Sequence, residues 1–296
     1  MADVTADIPK REPLILRILK SFALLRESGV AMIGAGIILF WILVALFAPL
    51  IAPFPPNATL APLLPPFSPF EGDGGGTFWL GTDHIGRDIL SRIIYGSQTV
   101  LIYAPLATGC AYVVGILMGV VAGYKGGWWD DILSFVANLI LSFPVLVLYV
   151  IIIATVGASG INILIAITFA SAPGIMRIVR GLVLDLRTRD YVAAAQTRGE
   201  SSLWIMLVEI LPNARGPLIV DACLRLGYVT ITIGVLGFLG LGLPPPDPDW
   251  GGMINETRTM AQVFPWMSVF PCLAISSLVL GLNLLADGLR EISIKD

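Results

Sequence analysis

Long apolar segments alternate with short polar ones along most of this chain. A helix that crosses a bilayer needs about 20 mostly apolar residues, and in lipid a helix satisfies its own backbone hydrogen bonds. Six segments meet this requirement: residues 30–52, 99–124, 132–156, 161–184, 217–243 and 267–286. The pattern predicts an all-α integral membrane protein with six transmembrane helices. Residues 99–287 would form a five-helix core that includes a polar segment at 185–213.

The composition agrees with a membrane protein. Of the 296 residues, 56% are hydrophobic and only 13% are charged, whereas soluble domains carry about 25% charged residues. The small net charge of −3 argues against nucleic acid as a partner. The three cysteines, Cys110, Cys223 and Cys272, lie far apart in apolar stretches, and His84 is the one histidine. We therefore expect no metal site, and we find no nucleophile–base pair that would indicate catalytic residues.

Lysine and arginine residues predict the orientation, because they are enriched in cytoplasmic loops. With both termini in the cytoplasm, fourteen of these residues lie inside, Arg225 lies within a span, and three lie outside: Arg87, Arg92 and Arg258. We therefore predict cytoplasmic tails at residues 1–29 and 288–296 and an external loop at residues 53–98. The first span is too long for the apolar part of a cleaved signal peptide.

The polar segment between the fourth and fifth spans predicts two short cytoplasmic helices. Asp190 is placed to cap the first helix, and Gly199 to end it with a positive φ. Ser201 or Ser202 can cap the second helix, which Pro212 would end. Helical spacing puts five residues on one apolar side: Val192, Ala195, Gly199, Leu203 and Met206. The segment either packs on the protein's own membrane domain or receives another protein, and the pattern leaves both readings open.

Residues 80–96 predict an amphipathic helix within the external loop. Thr82 is placed to cap this helix and Gly96 to end it. Two acid-before-base pairs at i,i+4 spacing would each add ~0.2–0.5 kcal/mol of helix stability: Asp83 with Arg87, and Asp88 with Arg92. An apolar line would run along Ile85, Ile89 and Ile93. We expect the helix either to rest on the outer ends of the spans or to contact an external protein.

One ion pair is predicted inside the membrane. Asp221 and Arg225 lie one helical turn apart in the fifth span, and we place them near its cytoplasmic end. Ionisable residues in a membrane are costly and often functional, but an i,i+4 pair can also neutralise itself and play a structural role. Both interpretations stay open from the sequence.

Several motifs give the chain a family resemblance. The sequence A-A-A-Q-T-R-G, nine further residues and E-I-L-P are similar to the E-A-A-x-x-x-G-(x9)-I-x-L-P loop of ABC importer permeases. Ala194, Ala195, Gly199, Leu211 and Pro212 match that loop, whereas Ala193 and Glu209 stand where the family has Glu and Ile.

Other segments resemble the C-type permease of the dipeptide, oligopeptide and nickel group. L-G-T-D-H-I-G-R-D-I-L-S-R-I-I-Y-G at 80–96 supplies an external motif of eight residues: Gly81, Thr82, Asp83, Gly86, Arg87, Asp88, Ser91 and Arg92. L-G-F-L-G-L-G at 236–242, P-D-W-G-G-M-I at 248–254 and N-L-L-A-D-G-L-R at 283–290 are also similar. The third span departs from the family, because Phe135 and Asn138 stand where relatives often carry Arg and Asp.

The resemblance implies a non-catalytic permease subunit of an ATP-driven, binding-protein-dependent importer in a bacterial inner membrane. Di- or oligopeptides lead as substrates, with nickel chelates, opines and oligosaccharides as alternatives. The implied partners are a B-type permease, two ATPase subunits and an external, periplasmic solute-binding protein. Residues 185–213 would form the cytoplasmic coupling helix that docks on an ATPase, through Ala193, Ala194, Ala195, Gly199, Glu200, Leu211 and Pro212.

Nucleotide chemistry is expected on other chains. The sequence has no G-x-x-x-x-G-K-[ST] phosphate-binding loop, so ATP and Mg²⁺ would be bound by the partner subunits and this chain would hold no cofactor. The alternative is a secondary transporter driven by an ion gradient, which needs ion sites at mid-membrane. Few charges other than Asp221 and Arg225 lie in the predicted spans, and the substrate-binding residues are not indicated by any motif.

Overall fold

A computed structural model of the chain describes residues 28–72 and 75–295, with side chains up to residue 291. Helices dominate the described residues. They are α1 Gly29–Leu46, α2 Ala48–Ile51, α3 Ile89–Lys125, α4 Gly127–Leu141, α5 Val145–Val156, α6 Gly160–Leu186, α7 Asp190–Thr197, α8 Ser202–Asn213, α9 Arg215–Phe238, α10 Trp250–Thr257 and α11 Trp266–Lys295. A short antiparallel hairpin, β1 Ser68–Phe70 with β2 Gly76–Phe78, corrects the all-α prediction.

Five helices are long and apolar enough to cross a membrane: α1, α3, α6, α9 and α11. They cover five of the six predicted spans. The third predicted span, residues 132–156, is not one straight helix. It is divided between α4 and α5, which meet at an angle of 86° and give a sixth candidate span only if the bent pair is counted as one. The break has a local cause, because Pro144 has no backbone N–H and its ring disfavours a helical conformation at Phe143.

The predicted helix at residues 80–96 does not form as such. Helix α3 begins only at Ile89, where the Asp88 side chain caps it, and continues through Gly96 to Lys125. At ~1.5 Å per residue the 37 residues of α3 extend about 55 Å, well beyond the ~30 Å hydrocarbon core. Residues 80–88 instead form a turn with Gly81 at φ +79° and Gly86 at φ +91°.

Close helix packing builds the centre of the molecule. Helix α3 contacts α6 along Gly115, Gly119 and Gly123, where an added Cβ would lie only 2.6–2.8 Å from the Cβ atoms of Ile175, Val179 and Val183. Helix α11 packs on α1 and α9. The Ser28 hydroxyl donates to Glu291 Oε2 at 2.9 Å, so the start of α1 and the end of α11 lie side by side.

The loops gather at two opposite ends of α3. At its start lies a lobe formed by residues 52–88 together with residues 244–265, which we call the external lobe after the side on which the lysine and arginine pattern predicts it. Trp250 Nε1 of this lobe donates to Ile93 O at 3.0 Å, and Thr99 Oγ1 donates to Pro248 O at 2.9 Å. At its other end lies the coupling segment, residues 185–213, from which Arg187 Nη1 donates to Gly123 O at 3.0 Å.

Candidate functional site

The coupling segment has a buried inner face. Val192, Ala195, Ile205, Met206 and Ile210 are all buried. They pack in one cluster with residues of α3 and α6, among them Val120, Val179 and Val183. The reading in which this segment packs on its own membrane domain is therefore correct for the inner face. The apolar side proposed from the sequence is right for Val192, Ala195 and Met206, but wrong for Gly199 and for Leu203, which is 63% exposed.

The outer face of the same segment is exposed and apolar. Ala193 and Ala194 of α7 face away from the membrane helices. On α8, four large apolar side chains are exposed: Leu203, Trp204, Leu207 and Val208. Large apolar side chains on the surface of a polar, small-residue segment are typical of a protein contact.

The turn between α7 and α8 is set by Gly199. Its φ is +79°, its N–H donates to Gln196 O at 3.0 Å, and the N–H of Glu200 donates to Ala195 O at 3.2 Å. These two bonds form the Schellman motif that ends a helix with glycine, as the sequence predicts. Ser201 then caps α8, because its Oγ accepts from the N–H of Trp204 at 3.3 Å.

Two details of this segment differ from the sequence prediction. Asp190 is the first residue of α7, preceded by Arg189, and no side chain caps the helix there. Glu209, at the family's Ile position, accepts from Arg198 Nη2 at 3.1 Å. Arg198 also lies 3.8 Å from Glu200, so the charged side chains hold the end of α7 against α8. Leu211 is half-buried and Pro212 is exposed.

The external motif folds the loop that precedes α3. Asp83 Oδ2 accepts from Arg87 Nε at 2.6 Å, and Asp83 Oδ1 accepts from the N–H of Arg87 at 2.9 Å. Arg87 also pairs with Glu256 of α10. The predicted Asp83–Arg87 pair is confirmed, but it closes a turn rather than supporting a helix, and it joins the two parts of the external lobe.

The predicted pair of Asp88 with Arg92 is wrong. Asp88 Oδ2 accepts from the N–H of Ser91 at 2.8 Å and from its hydroxyl at 2.6 Å, as expected of a residue that caps a helix. Arg92 donates from Nη1 to Pro56 O and Asn57 Oδ1 instead. Because Asp88 caps the start of α3, its carboxylate is bonded to the first turn of that helix instead of to Arg92.

The remaining motif residues are also structural in this geometry. Thr82 does not cap a helix, because its hydroxyl donates to Ala61 O at 2.6 Å and accepts from the N–H of Leu64 at 2.9 Å. A Cβ on Gly81 would lie 2.5 Å from Leu64 O, so only glycine fits this close approach with a positive φ. Ile85 is exposed, whereas Ile89 and Ile93 are buried, so the three residues do not form one line.

Asp249 is a functional candidate that the sequence analysis missed. It caps α10 by accepting from the N–H of Gly251 at 3.3 Å and of Gly252 at 3.1 Å. The side chain is buried, and this burial raises the pKa of Asp249 to about 6 despite the two backbone hydrogen bonds. The signal was present in P-D-W-G-G, where an Asp precedes a helix start and two glycines allow close approach to its carboxylate.

The intramembrane ion pair forms as predicted. Arg225 Nε donates to Asp221 Oδ2 at 2.7 Å, and Tyr112 of α3 donates to the same oxygen. Asp221 lies six residues and Arg225 ten residues into α9, which begins at Arg215, or about 9 and 15 Å along its axis. Both residues therefore lie in the half of α9 that follows the coupling segment.

The departure in the third span is also explained. Phe135 is exposed on α4. Asn138 Oδ1 accepts from Arg177 Nη2 at 2.5 Å. The neutral Asn138 therefore gives Arg177 of α6 a hydrogen-bond acceptor without adding a second charge.

Comparison with known proteins agrees with this architecture. Residues 115–295 match the family described as binding-protein-dependent transport system inner membrane component. Residues 21–74 match the N-terminal TM domain of oligopeptide transport permease C.

Individual relatives cover nearly the whole chain. The dipeptide transport system permease protein DppC of Alkalihalophilus pseudofirmus is 37% identical over 272 residues, 92% of this chain and 88% of the relative. The DppC of Haemophilus influenzae is 39% identical over 271 residues, 90% of each chain. The glutathione transport system permease protein GsiD of Escherichia coli O157:H7 is 35% identical over 269 residues, 90% of this chain and 86% of the relative.

The fold is shared with a solved transporter. A chain from the inward-facing MetNI methionine ABC transporter superposes with a TM-score of 0.57 at 18% identity, covering 69% of this chain and 97% of that one. Together with the family match over residues 115–295, this shows that the chain is a multi-pass membrane protein that belongs to the family of binding-protein-dependent transport system inner membrane components, the permeases of ABC importers.

Proposed function

We propose that this chain is the C-type permease subunit of a peptide importer and forms half of its translocation pathway. The substrate class follows from relatives named for dipeptide and glutathione transport. The observation that carries the subunit's role is the two-faced coupling segment, which is buried against α3 and α6 on one side and exposes Leu203 and Trp204 on the other. The secondary-transporter alternative loses its support, because the matching family depends on binding proteins.

The exposed face of the coupling segment would dock on an ATPase subunit. ATP and Mg²⁺ would be bound there, since this chain has no phosphate-binding loop. A rotation of that subunit would move α7 and α8, and their buried face would pass the movement to α3 and α6. A B-type permease, a second ATPase subunit and an external solute-binding protein would complete the importer.

We further propose six crossings of a bacterial inner membrane with both termini in the cytoplasm. The Ser28–Glu291 hydrogen bond supports an even number of crossings, because it places the start of α1 and the end of α11 on the same side. The Arg87–Glu256 contact supports an external lobe built from the segment between α1 and α3 and the segment between α9 and α11. Both contacts require the bent pair α4–α5 to cross as one span.

Reconstitution tests the proposal. The purified chain alone should not hydrolyse ATP, whereas the complex with its partner subunits should show ATPase activity that rises with peptide and should import the peptide into proteoliposomes. Robust ATP turnover by the isolated chain, or a complete importer that ignores peptides, would contradict it.

A charge on the exposed face should separate docking from folding. We expect Trp204→Glu to reduce co-purification of the ATPase subunits, because a carboxylate would be buried at the contact. Trp79→Glu is the matched control, since Trp79 is 52% exposed on the external lobe and Trp204 is 49% exposed. Equal co-purification by both variants would remove the docking role from α8.

A further inference from the structure

Helix α6 has an uncovered face between α4 and α9. On the α4 side of this face, Arg177 Nη2 donates to Asn138 Oδ1 at 2.5 Å. On the α9 side, Arg225 Nη1 lies 3.4 Å from the position that a Cβ on Gly174 would occupy. Arg177 is exposed, and a Cβ on Gly181, one turn further along α6, would meet no atom within 4 Å. We call the surface at Arg177 and Gly181 the open face of α6, because no described part of this chain covers it.

Arg177 lies at a depth where a charge is costly in lipid. It precedes Leu186, the last residue of α6, by nine residues, or about 14 Å along the helix axis. The 27 residues of α6 extend about 40 Å, so roughly 5 Å would protrude on each side of a ~30 Å hydrocarbon core. Helix side chains tilt toward the N-terminus, which for Arg177 is the direction away from the coupling segment. The guanidinium therefore needs protein or water, rather than lipid, at this face.

The positive charge of Arg177 is not balanced within the part of the chain that the structure describes. The predicted spans of α6 and α9 contain two other arginines, and both have a carboxylate partner. Arg180 is held by the two carboxylate oxygens of Asp130, at 2.5 and 2.6 Å, and Arg225 belongs to the ion pair described above. Arg177 is bonded to the neutral Asn138 alone, which takes one of the five N–H donors of the guanidinium. The open face therefore carries a net positive charge.

An apolar side of the same helices faces elsewhere. A groove between α3, α4 and α6 is lined by twelve residues, none of them charged. Val136 and Ile140 of α4 belong to it, and each is turned about 160° around that helix from Asn138. Phe169 of α6 also lines the groove and is 49% exposed. This apolar groove suits lipid tails, whereas the open face carries the charge.

The polar surface continues on α9. Tyr228 is 68% exposed, and it lines a cavity of about 360 Å³ together with Gly174 and Arg225. It lies ten residues before Phe238, the last residue of α9. The surface therefore extends from Arg177 past the middle of the bundle toward the external lobe, as a path across the membrane requires.

We propose that the open face of α6 forms part of the wall of the translocation path in the half next to the coupling segment, and that Arg177 there binds a carboxylate of the peptide in transit. Arginine presents a planar set of donors that matches the two oxygens of a carboxylate, and a peptide with a free C-terminus carries one. The inference rests on the proposed peptide-import function, and it adds a residue of this chain and the chemical group that the residue recognises.

Thiol reactivity tests the placement of the path. In a chain without its three native cysteines, Tyr228→Cys should react with a membrane-impermeant maleimide while the complete importer turns over ATP and peptide in lipid nanodiscs. Phe169→Cys is the matched control, because Phe169 lies nine residues from the start of α6 and Tyr228 ten residues from the end of α9, both toward the external side. It should react only with a membrane-permeant maleimide. Equal labelling of both by the impermeant reagent, or no labelling of Tyr228→Cys, would overturn the assignment of this surface.

Peptide uptake tests Arg177 itself. A complete importer in proteoliposomes would be given a dipeptide without acidic side chains and, separately, its C-terminal amide. Arg177→Gln should lose roughly tenfold or more in uptake kcat/KM for the free acid, as expected for a hydrogen bond to a charged group, and less than about threefold for the amide. The binding protein is the same in every sample, so its own preference cancels in the ratio of variant to parent. Equal losses on both peptides, as for an arginine that holds a lipid phosphate, or no loss on the free acid would overturn the inference.

Asn138→Asp covers the case in which Arg177→Gln does not assemble. It keeps the arginine but places a carboxylate where Asn138 now bonds it, so it should lower uptake of the free acid selectively. Arg290→Gln is the matched control, because Arg290 is exposed near the end of α11, and it should treat both peptides like the parent. An Asn138→Asp importer that also treats both peptides like the parent would overturn the inference. A parent importer that moves neither peptide would instead refute the proposed function itself.

Discussion

Asp249 is a carboxylate placed where water hardly reaches it. Its Oδ2 faces the backbone of Gly237 and Gly242, at positions where any side chain would collide with it. The glycines of the L-G-F-L-G-L-G motif therefore leave the space that the Asp249 side chain occupies. Burial, together with the smaller effect of the nearby Glu256, raises the pKa of Asp249 to about 6, against the lowering effects of the two backbone hydrogen bonds and of Arg92.

This raised pKa predicts a pH dependence of stability. The folded state binds the proton more tightly than the unfolded chain, whose Asp pKa is 3.8. The stabilisation is therefore complete below about pH 4 and is lost as the pH rises through about 6. Between pH 7.5 and pH 5 we expect a gain of about 1 kcal/mol, read as a higher unfolding temperature of the purified complex. Asp249→Asn should remove this part of the shift, and an unchanged shift in the variant would rule Asp249 out as its source.

Gly199 illustrates how structure refines a sequence argument. The sequence indicates two penalties for a β-branched residue there: a positive φ, and overpacking of the surface on which the ATPase would dock. In the structure a Cβ at Gly199 would meet no atom of this chain within 4 Å, so overpacking could come only from the partner. The φ of +79° remains, with a cost on the order of 1 kcal/mol or more.

Gly199→Val should therefore weaken co-purification of the ATPase subunits and lower uptake, with membrane expression close to normal. Gly199→Asn is the matched control, because asparagine adopts this conformation more readily, and it should retain most of both activities. If valine and asparagine behave alike, backbone conformation at this turn is not what the partner requires.

At the scale of elements, the contact between α3 and α6 is set by three glycines spaced four residues apart. A Cβ on Gly119 would lie 2.6 Å from Val179 Cβ and 2.7 Å from Met176 O. Backbone and Cβ atoms cannot rotate away, so the helices would have to separate. Close approach through small residues is how membrane helices gain packing contacts.

Gly119→Ala should accordingly destabilise the bundle by ~1–3 kcal/mol, although alanine favours a helix. Gly109→Ala on the same helix is the control, since no atom lies within 4 Å of its Cβ position, and it should be neutral or stabilising by up to about 1 kcal/mol. The readout is the thermal unfolding midpoint of the purified complex. A Gly119→Ala protein as stable as Gly109→Ala would mean that the two helices are not held at this distance.

The elements also show where the sequence could and could not predict the structure. Long apolar runs predict the spans, because about 20 such residues have few alternatives in lipid. The prediction of a helix at residues 80–96 was wrong because a turn followed by a helix can show the same charge spacing and isoleucine periodicity as one continuous helix. Gly81 and Gly86, both at positive φ, were the signal against it, and Pro144 was the signal for the broken third span. The Arg87–Glu256 and Arg92–Asn57 contacts join residues far apart in the chain, which one sequence cannot reveal.

For the whole molecule, the number of crossings depends on the bent pair α4–α5. If this pair returned to the side from which it started, α9 would end on the side of the bundle where α3 ends. Yet the residues after α9 contact the start of α3, through Pro248 with Thr99 and through Trp250 with Ile93. The same re-entrant path would also place Ser28 and Glu291 on opposite sides, although they share a hydrogen bond. All three contacts favour a pair that crosses.

Cysteine labelling separates the two topologies. In a background with Cys110, Cys223 and Cys272 replaced by alanine, single cysteines would be introduced at three exposed positions: Glu71 in the external lobe, Ala158 between α5 and α6, and Gln196 on α7. We expect a membrane-impermeant maleimide to label Glu71→Cys and Ala158→Cys in intact cells stripped of any outer membrane, and Gln196→Cys only after permeabilisation. Ala158 decides the question, because it lies outside if α4–α5 crosses and inside if the pair is re-entrant. Labelling of Ala158→Cys only after permeabilisation, with Glu71→Cys still labelled from outside, would leave five crossings and put the two termini on opposite sides of the membrane.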